Sequence, residues 1–459
     1  MSNHRHVFES VNPFNGRQVG TTSAFDSQQI ECAITVAHRC ATAWAQSPHD
    51  QRRALLLAVA DQLDERRDEL ARLITLEMGK LVGEASAEVE KCAWVCRFYA
   101  EHGAAFLADE LVESDAARSR VVYQPLGIVL AVMPWNFPFW QVFRFAAPAI
   151  AAGNVCLLKH ASNVMLCAQA IEDVFHQAGA PEGLFTHLPV RAQSVAALIA
   201  DERVKAVTLT GSDSAGRAVA GEAGARLKKS VLELGGSDPF IVLDDADLDL
   251  AVSKAVKSRF MNAWQSCIAA KRFIVAAPVA GVFEARQVSA VAALQPGDPT
   301  DPATTLAPMA RGDLRDELHE QVCDALSQGA RLVCGGRKVD GDGFFYAPTI
   351  LSAITPAMRA YREELFGPVA CLFRVADETE AIEIANDTHF GLGGSVWSRD
   401  RERATAVARQ LACGCAFVNE LVKSDPRLPF GGVKQSGYAR ELSRQGIREF
   451  VNIKTLWVE

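Results

Sequence analysis

From His49 to Lys80 the run HDQRRALLLAVADQLDERRDELARLITLEMGK repeats Leu and Val at helical spacing between charged residues, which predicts amphipathic helices. Residues 87–107 continue in the same pattern. At VVYQPLGIVLAVMPW (121–135) the chain changes to β-branched runs punctuated by Pro125 and Gly127, a strand signal. Between 145 and 243 short apolar runs alternate with helical ones: NVCLLKH, AQAIEDVFHQAG, KAVTLTG, SAGRAVAGEAGARL and KSVLELGG. Strand alternating with helix predicts a parallel sheet covered by helices on both faces. The alternation resumes from about residue 236 in DLDLAVSKAVKSRF, RFIVAA, ETEAIEIANDT and GGSVWS, so a second α/β unit is expected. The alternating end FVNIKTLWVE predicts an exposed edge strand of the kind that pairs with another subunit.

Composition narrows the class. A chain of 459 residues is too long for one hydrophobic core, so two domains are expected. With 49% hydrophobic and 22% charged residues it reads as an ordinary globular protein, neither collagenous nor disordered. The net charge of −8 argues against nucleic acid or an anionic membrane surface as partner and leaves a small molecule. The most apolar segment, FAAPAIAAGNVCLL (145–158), contains Pro, Gly and Asn and falls short of the ~18 apolar residues of a membrane span. The start, MSNHRHVFESVNPFNG, has neither the basic nor the apolar region of a secretory leader, so a cytoplasmic location is expected. The 12 Cys form no recurring CxxC pair; structural zinc is not expected, and most of them read as small core residues in a reducing compartment.

Several stretches carry candidate chemistry. In PWNFPFWQVFR (134–144) the amide of Asn136, held between prolines, could donate to a developing oxyanion, worth roughly 3 kcal/mol; on its own a loop Asn satisfying local backbone is the better reading. Arg144 lies in an apolar helix, where an unpaired cation is costly, so it is expected to meet a carboxylate, either the protein's or a substrate's. LLKHASN ends a strand with Lys159, and VTLTGSDSAG ends another with a Gly-Ser turn that opens a helix. Both fit the rule that ligands bind beyond the carboxyl ends of parallel strands, with phosphates at a helix N-terminus. VLELGGSDP puts Glu233 in an otherwise apolar strand, where burial raises a carboxyl's pKa into the range of a general base; a structural Glu is the alternative. Asp244, Asp245 and Asp247 read as helix N-terminal residues rather than metal ligands. In RFMNAWQSCIAAKRF (259–273), Cys267 follows an Asn and a Gln that can brace a turn and precedes a basic pair. A thiolate on such a turn is a good nucleophile if its pKa is lowered, whereas one Cys among twelve is by default inert.

Taken in order, PWNFP, LLKHAS, TLTGS, LELGGSDP, NAWQSC, EELFGPV and PFGGVKQSG resemble the aldehyde dehydrogenase superfamily from about residue 10 onward. NFPFWQVFR, LLKHASNVM, PMARGDLRDELH and VKSDPRLPFGG look most like its bacterial succinate-semialdehyde branch. The resemblance implies an α/β fold of two doubly wound parallel-sheet domains plus a small β oligomerisation element. Residues 1–234 would bind the cofactor, with a bridging hairpin near 111–127. Residues 235–430 would form the catalytic domain, and 431–459 would return to the cofactor domain and end in an oligomerisation strand. Cys267 would attack the aldehyde, Asn136 would hold the oxyanion and Glu233 would activate water, with no metal. NAD or NADP would be held by Pro134, Trp135, Lys159, Ser162, Gly211, Ser212, Leu234, Glu364 and Phe366. The substrate would meet Arg144, Trp140, Ser424 and Phe430, with Lys423 and Arg427 as weaker candidates. Ser162 stands where NAD-specific members carry Glu; without that carboxylate to repel a 2′-phosphate, NADP is expected to be accepted. A homodimer or homotetramer is expected.

The sequence departs from the family at Trp264, where Gly is usual, at Met261, where Arg or Gln is frequent, and at Phe145, where many members have Lys. Trp264 is expected to fit only with a negative φ and an open volume beside it. Three readings follow: a succinate-semialdehyde dehydrogenase, a general aldehyde dehydrogenase in which Arg144 is structural, and a weakly active cofactor-binding member crowded by Trp264.

Overall fold

The β-branched runs at 121–135 form two strands that part at the marked punctuation. The turn is made by Leu126 and Gly127, whose N–H groups both donate to Asn154 Oδ1 (2.9 and 3.0 Å), and Gly127 takes φ +121°, a conformation that excludes other residues. Either side of that turn the chain serves different sheets. Arg118–Pro125 lies between Val451–Val458 and Glu110–Val112 in an antiparallel three-stranded sheet, whereas Ile128–Val132 is the centre of a six-stranded one. The computed structural model describes residues 6–459; the first five residues of the stretch MSNHRHVFESVNPFNG lie outside the described residues.

The six-stranded sheet runs in the order Gly437–Tyr438, Lys229–Glu233, Val204–Thr210, Ile128–Val132, Val155–Lys159, Phe185–His187. All are parallel except Gly437–Tyr438, which pairs antiparallel with Glu233 and Leu232. Its central strands are buried almost throughout, as continuous apolar runs between helices require. A seven-stranded sheet runs Arg331–Cys334, Thr349–Ser352, Val369–Val375, Ala270–Ala276, Asp238–Val242, Gly393–Trp397, Cys415–Val418, parallel except at its first strand. Alternate residues of its strands enter opposite cores: Ile241, Ile274, Leu351 and Val396 pack on one face, Phe240, Phe273, Ile350 and Trp397 on the other.

The helices read from 49 to 80 are His49–Glu65 and Arg67–Met78, and the next, Val82–Phe106, packs against both and against Trp140–Ala151. Of the three aspartates near 245, only Asp247 caps the helix Leu248–Phe260, accepting from the N–H groups of Asp249 and Leu250; Asp244 and Asp245 pair with Arg403. Among the described residues no helix is long and apolar enough to cross a membrane.

Candidate active site

The carboxyl ends of three strands of the six-stranded sheet deliver Pro134 to Asn136, Gly211 with Ser212, and Leu234 with Gly235 to one side of a cavity of about 440 Å³. The opposite side comes from chain entering the seven-stranded sheet: Cys267 before Ala270–Ala276, and Glu363, Glu364 and Phe366 before Val369–Val375. Nine of the expected residues therefore meet in one place: Cys267, Asn136, Pro134, Trp135, Gly211, Ser212, Leu234, Glu364 and Phe366.

Cys267 ends a loop that is tied from several directions. Asn262 donates through Nδ2 to the carbonyls of Asn136 (3.0 Å) and Gln265 (3.1 Å), and its N–H donates to Glu84 Oε1 (2.9 Å). The Asn136 amide donates to the Gln265 carbonyl (2.9 Å), which sets it beside the loop that carries the sulfur. Lys271, in the sequence only half of a basic pair, donates to the carbonyls of Ser266 (2.9 Å) and Cys267 (2.7 Å) and pairs with Glu364 (2.8 Å). Burial pushes the Cys267 thiol up to about 12, against the pull of the Lys271 charge. Attack by this sulfur would need a nearby base, or a field change on ligand binding, to draw off its proton.

Glu233 is buried at the end of Lys229–Glu233, and neither carboxyl oxygen has a hydrogen-bond partner among the described residues. Desolvation holds its pKa well above the usual carboxylate range, opposed by the nearby Arg144 charge. Its carboxyl does not line the cavity; it lies against Gly431, where a Cβ would come within 2.5 Å of Oε1.

Arg144 meets a protein carboxylate. It is buried, ion-paired through Nε to Glu441, donates to Thr210 Oγ1 (3.2 Å) and lies 4.9 Å from the Phe430 ring centre. The expectation of a carboxylate partner, the protein's or a substrate's, is met on the protein side by a residue far along the chain. Trp140, Ser424 and Phe430 are buried and do not line the main cavity. Of the weaker candidates, Arg427 pairs with Asp425 (2.6 Å) and Lys423 lies 3.7 Å from Glu420. Sequence reasoning missed Lys91, whose Nζ donates to Ser424 Oγ (2.8 Å) and lies 4.2 Å over the Trp140 ring; in an amphipathic helix nothing marks one Lys from its neighbours.

Ser212 caps the helix Asp213–Gly224, accepting from Ala215 N–H (3.3 Å), so the first turn of that helix faces the cavity. Trp135 and Phe366 stand edge to face, 5.8 Å apart, across it. Any side chain at Gly235 would strike Glu364 and come within 3.2 Å of Phe390, so the cradle needs glycine there. Lys159 ends its strand half-buried and, among the described residues, without an ion pair, while Ser162 is exposed in a separate cleft with Asn163 and Arg311. Neither lines the main cavity.

Trp264 corrects one expectation. Its φ is +65°, and Asn262 (+58°) and Ala263 (+49°) are also left-handed, so a bulky residue sits in backbone that favours glycine. The indole is buried in the core of the seven-stranded sheet, edge-on to Phe260 at 5.7 Å, and does not line the cavity. Arg259 helps hold the turn, donating to the Trp264 carbonyl (3.3 Å).

This geometry joins a cysteine, an amide donor and a helix N-terminus in one cleft, and the buried Glu233 carboxyl, outside the cavity lining, has no hydrogen-bond partner among the described residues. The aldehyde dehydrogenase family model matches residues 1–456. A probable succinate-semialdehyde dehydrogenase [NADP(+)] of Synechocystis sp. is 51% identical over 98% of this chain and 99% of its own. A succinate semialdehyde dehydrogenase [NAD(P)+] of Escherichia coli is 49% identical over 98% of this chain and 97% of its own. The crystal structure of succinic semialdehyde dehydrogenase from Streptococcus pyogenes with NADP+ superposes with a TM-score of 0.97 at 40% identity, covering 98% of this chain and 99% of that one. The chain, with its nucleophile loop and its two sheets facing one cleft, belongs to the aldehyde dehydrogenase family.

Proposed function

We propose that this protein oxidises succinate semialdehyde to succinate with NADP or NAD as hydride acceptor. The observation that carries the reading is the convergence of Cys267, Asn136 and the Ser212-capped helix on one cleft, supported by relatives of that activity at about half identity over the full chain.

The cleft fits a dinucleotide: it has a helix N-terminus at one part, an aromatic pair at another and a glycine cradle between. Gly211 and Ser212 would meet the pyrophosphate, Glu364 the nicotinamide ribose, and Pro134, Trp135, Leu234 and Phe366 the flanking walls. When bound, the nicotinamide supplies the hydride acceptor. Lys159 and Ser162 would serve the adenosine ribose. An ammonium without a protein counter-ion and an exposed hydroxyl in place of a carboxylate favour a 2′-phosphate.

Cys267, after its thiol proton passes to solvent, adds as thiolate to the aldehyde carbon, forming a C–S bond while the C=O π pair moves to the oxygen. The Asn136 amide and the Cys267 N–H stabilise the negative oxygen. Loss of hydride from that carbon leaves a thioester on Cys267. Glu233, with its carboxyl unpartnered, takes a proton from water, whose oxygen attacks the thioester; the acid departs and the sulfur leaves as thiolate. Trp264 does not crowd the chemistry, since its indole is buried on the far side of the loop.

The units are taken as 1–234 for cofactor binding, 235–430 for catalysis and 431–459 returning to the first, a division supported by Gly437–Tyr438 joining the six-stranded sheet. Self-association as a dimer or tetramer through the three-stranded sheet is supported by its exposed Leu111, Ile453 and Trp457. A cytoplasmic location is supported by cysteines that are all free.

The test is kcat/KM for succinate semialdehyde and butanal, each with NADP and NAD. Succinate semialdehyde is expected to exceed butanal by more than about tenfold, the effect of roughly 1.4 kcal/mol, with NADP used at least as well as NAD. Equal or reversed aldehyde preference contradicts the substrate assignment.

A further inference from the structure

Lys271 and Arg272 are neighbours on the strand Ala270–Ala276, and alternation along the strand sends them to different partners. Arg272 donates to the carbonyls of Ser237, Ile384 and Ala385. Lys271 turns back to the loop that carries the sulfur. It is 1% exposed, and its ammonium donates to the carbonyls of Ser266 (2.9 Å) and Cys267 (2.7 Å). Its third contact is Glu364 Oε1 at 2.8 Å, an oxygen that also accepts from Gly236 N–H (3.2 Å). All three donors of the ammonium are thus engaged, two by the segment ending in Cys267 and one by a carboxylate on the cavity wall.

The charges that face the sulfur come from four elements. Lys271 on Ala270–Ala276 and Arg144 on Trp140–Ala151 favour the thiolate, Lys271 the more strongly. Glu364, before Val369–Val375, and Asp238, opening Asp238–Val242, oppose it. Arg144 spends its charge on Glu441. Burial pushes the Asp238 carboxyl up to about 7, so its opposition grows in only above that pH. Lys271 and Glu364 remain as the two groups in direct contact whose charges act on the sulfur in opposite directions across the neutral range.

We propose that Lys271 is a positioning residue for the nucleophile: its ammonium fixes the loop through the Cys267 carbonyl and supplies the positive charge under which the sulfur gives its proton to solvent, while Glu364, drawing on the same ammonium, restrains that step. The proposal rests on the reading that Cys267 is the nucleophile. It gives Glu364 a part in the protein without cofactor, separate from any contact with ribose.

Removing a neighbouring opposite charge lowers the thiolate fraction at a fixed pH by about 10- to 100-fold. The more basic thiolate that remains is the better nucleophile, which returns about half of that loss on a logarithmic scale. The experiment follows alkylation by iodoacetamide of the full-length protein without cofactor, at several values between about pH 7 and 9.5. Peptide mass spectrometry reports Cys267 and, as references in the same sample, the exposed Cys32 and Cys323. In Lys271→Met, Cys267 is expected to react about 3- to 10-fold more slowly at every pH while the two references keep their rates. Lys271→Arg is expected to recover most of the loss. A lysine that only packs predicts the reverse, since a loosened loop exposes the thiol and relieves the burial that holds its proton. An unchanged or faster rate at Cys267 in Lys271→Met overturns the proposal. Glu364→Gln tests it without altering the buried strand: Cys267 is expected to react about threefold faster or more, and an equal or slower rate overturns the proposal. Dehydrogenase activity of the wild type, assayed with succinate semialdehyde and NADP on aliquots of the same reaction, is expected to fall in step with modification of Cys267. Activity that survives full modification there overturns the nucleophile reading and the proposal with it, whereas activity lost in step with a Cys267 rate that ignores Lys271 overturns the proposal alone.

Discussion

Trp264 occupies the last of three consecutive left-handed residues, at φ +65°, directly before the segment that carries the nucleophile. Such backbone costs of order 1–3 kcal/mol per residue and persists only where surroundings over-determine it. Here the surroundings are the Asn262 amide, the Arg259 guanidinium and the indole itself, which is buried against Phe260. Its Nε1–H has no partner among the described residues, a further local cost. Burial of a large aromatic outweighs both: removing one from a core typically costs about 3–5 kcal/mol. Trp264→Gly is therefore expected to destabilise the fold by about 2 kcal/mol or more, read as a lower urea midpoint, without raising kcat per folded molecule. Higher activity at unchanged stability would show that the indole obstructs the site. The meeting of Asn136 and Cys267 in one cleft and the burial of Glu233 at a strand end were legible in the sequence because each sits in a motif of distinctive residue types. The engagement of Arg144 by Glu441, the pairing of Lys271 with Glu364 and the positive φ at Trp264 were not, because each depends on what distant chain brings alongside.

At the scale of elements, periodicity carried most of the fold. The apolar runs at 154–160, 205–211 and 229–236 became parallel strands, since two-sided burial leaves little room for polar alternation. The punctuation at Pro125 and Gly127 was legible within 121–135, but that the left-handed Gly127, anchored by Asn154, sends its two sides into different sheets was not. The alternating C-terminus did become a strand, Val451–Val458, paired residue for residue with Arg118–Pro125. All its residues but the first are exposed, with Ile453 60% and Trp457 47% accessible, too apolar a surface to be left in water. A chain ending at Phe450 is expected to run as a smaller species than the full-length protein in light scattering coupled to gel filtration. An unchanged mass would place any self-association elsewhere.

Across the whole molecule the site exists only because two sheets face each other: one presents the carboxyl ends of its strands and the other the loops that enter its strands. Asn136, Glu233 and Cys267 are far apart in sequence, and their order along the chain, not their spacing, made them readable as a set. The direction of each sheet follows from the alternation of strand and helix, but which loop of the second faces which strand end of the first does not, because that is settled by packing between the layers. The central claim is that a thioester on Cys267 is hydrolysed with Glu233 as base. It is tested most directly by mixing Glu233→Gln with succinate semialdehyde and NADP, quenching rapidly in acid, and locating any adduct by peptide mass spectrometry. A succinyl group accumulating on Cys267, alongside a burst of reduced cofactor followed by slow turnover, is the expected result. A burst with no adduct on Cys267, or turnover as fast as in the unmodified enzyme, would contradict the account.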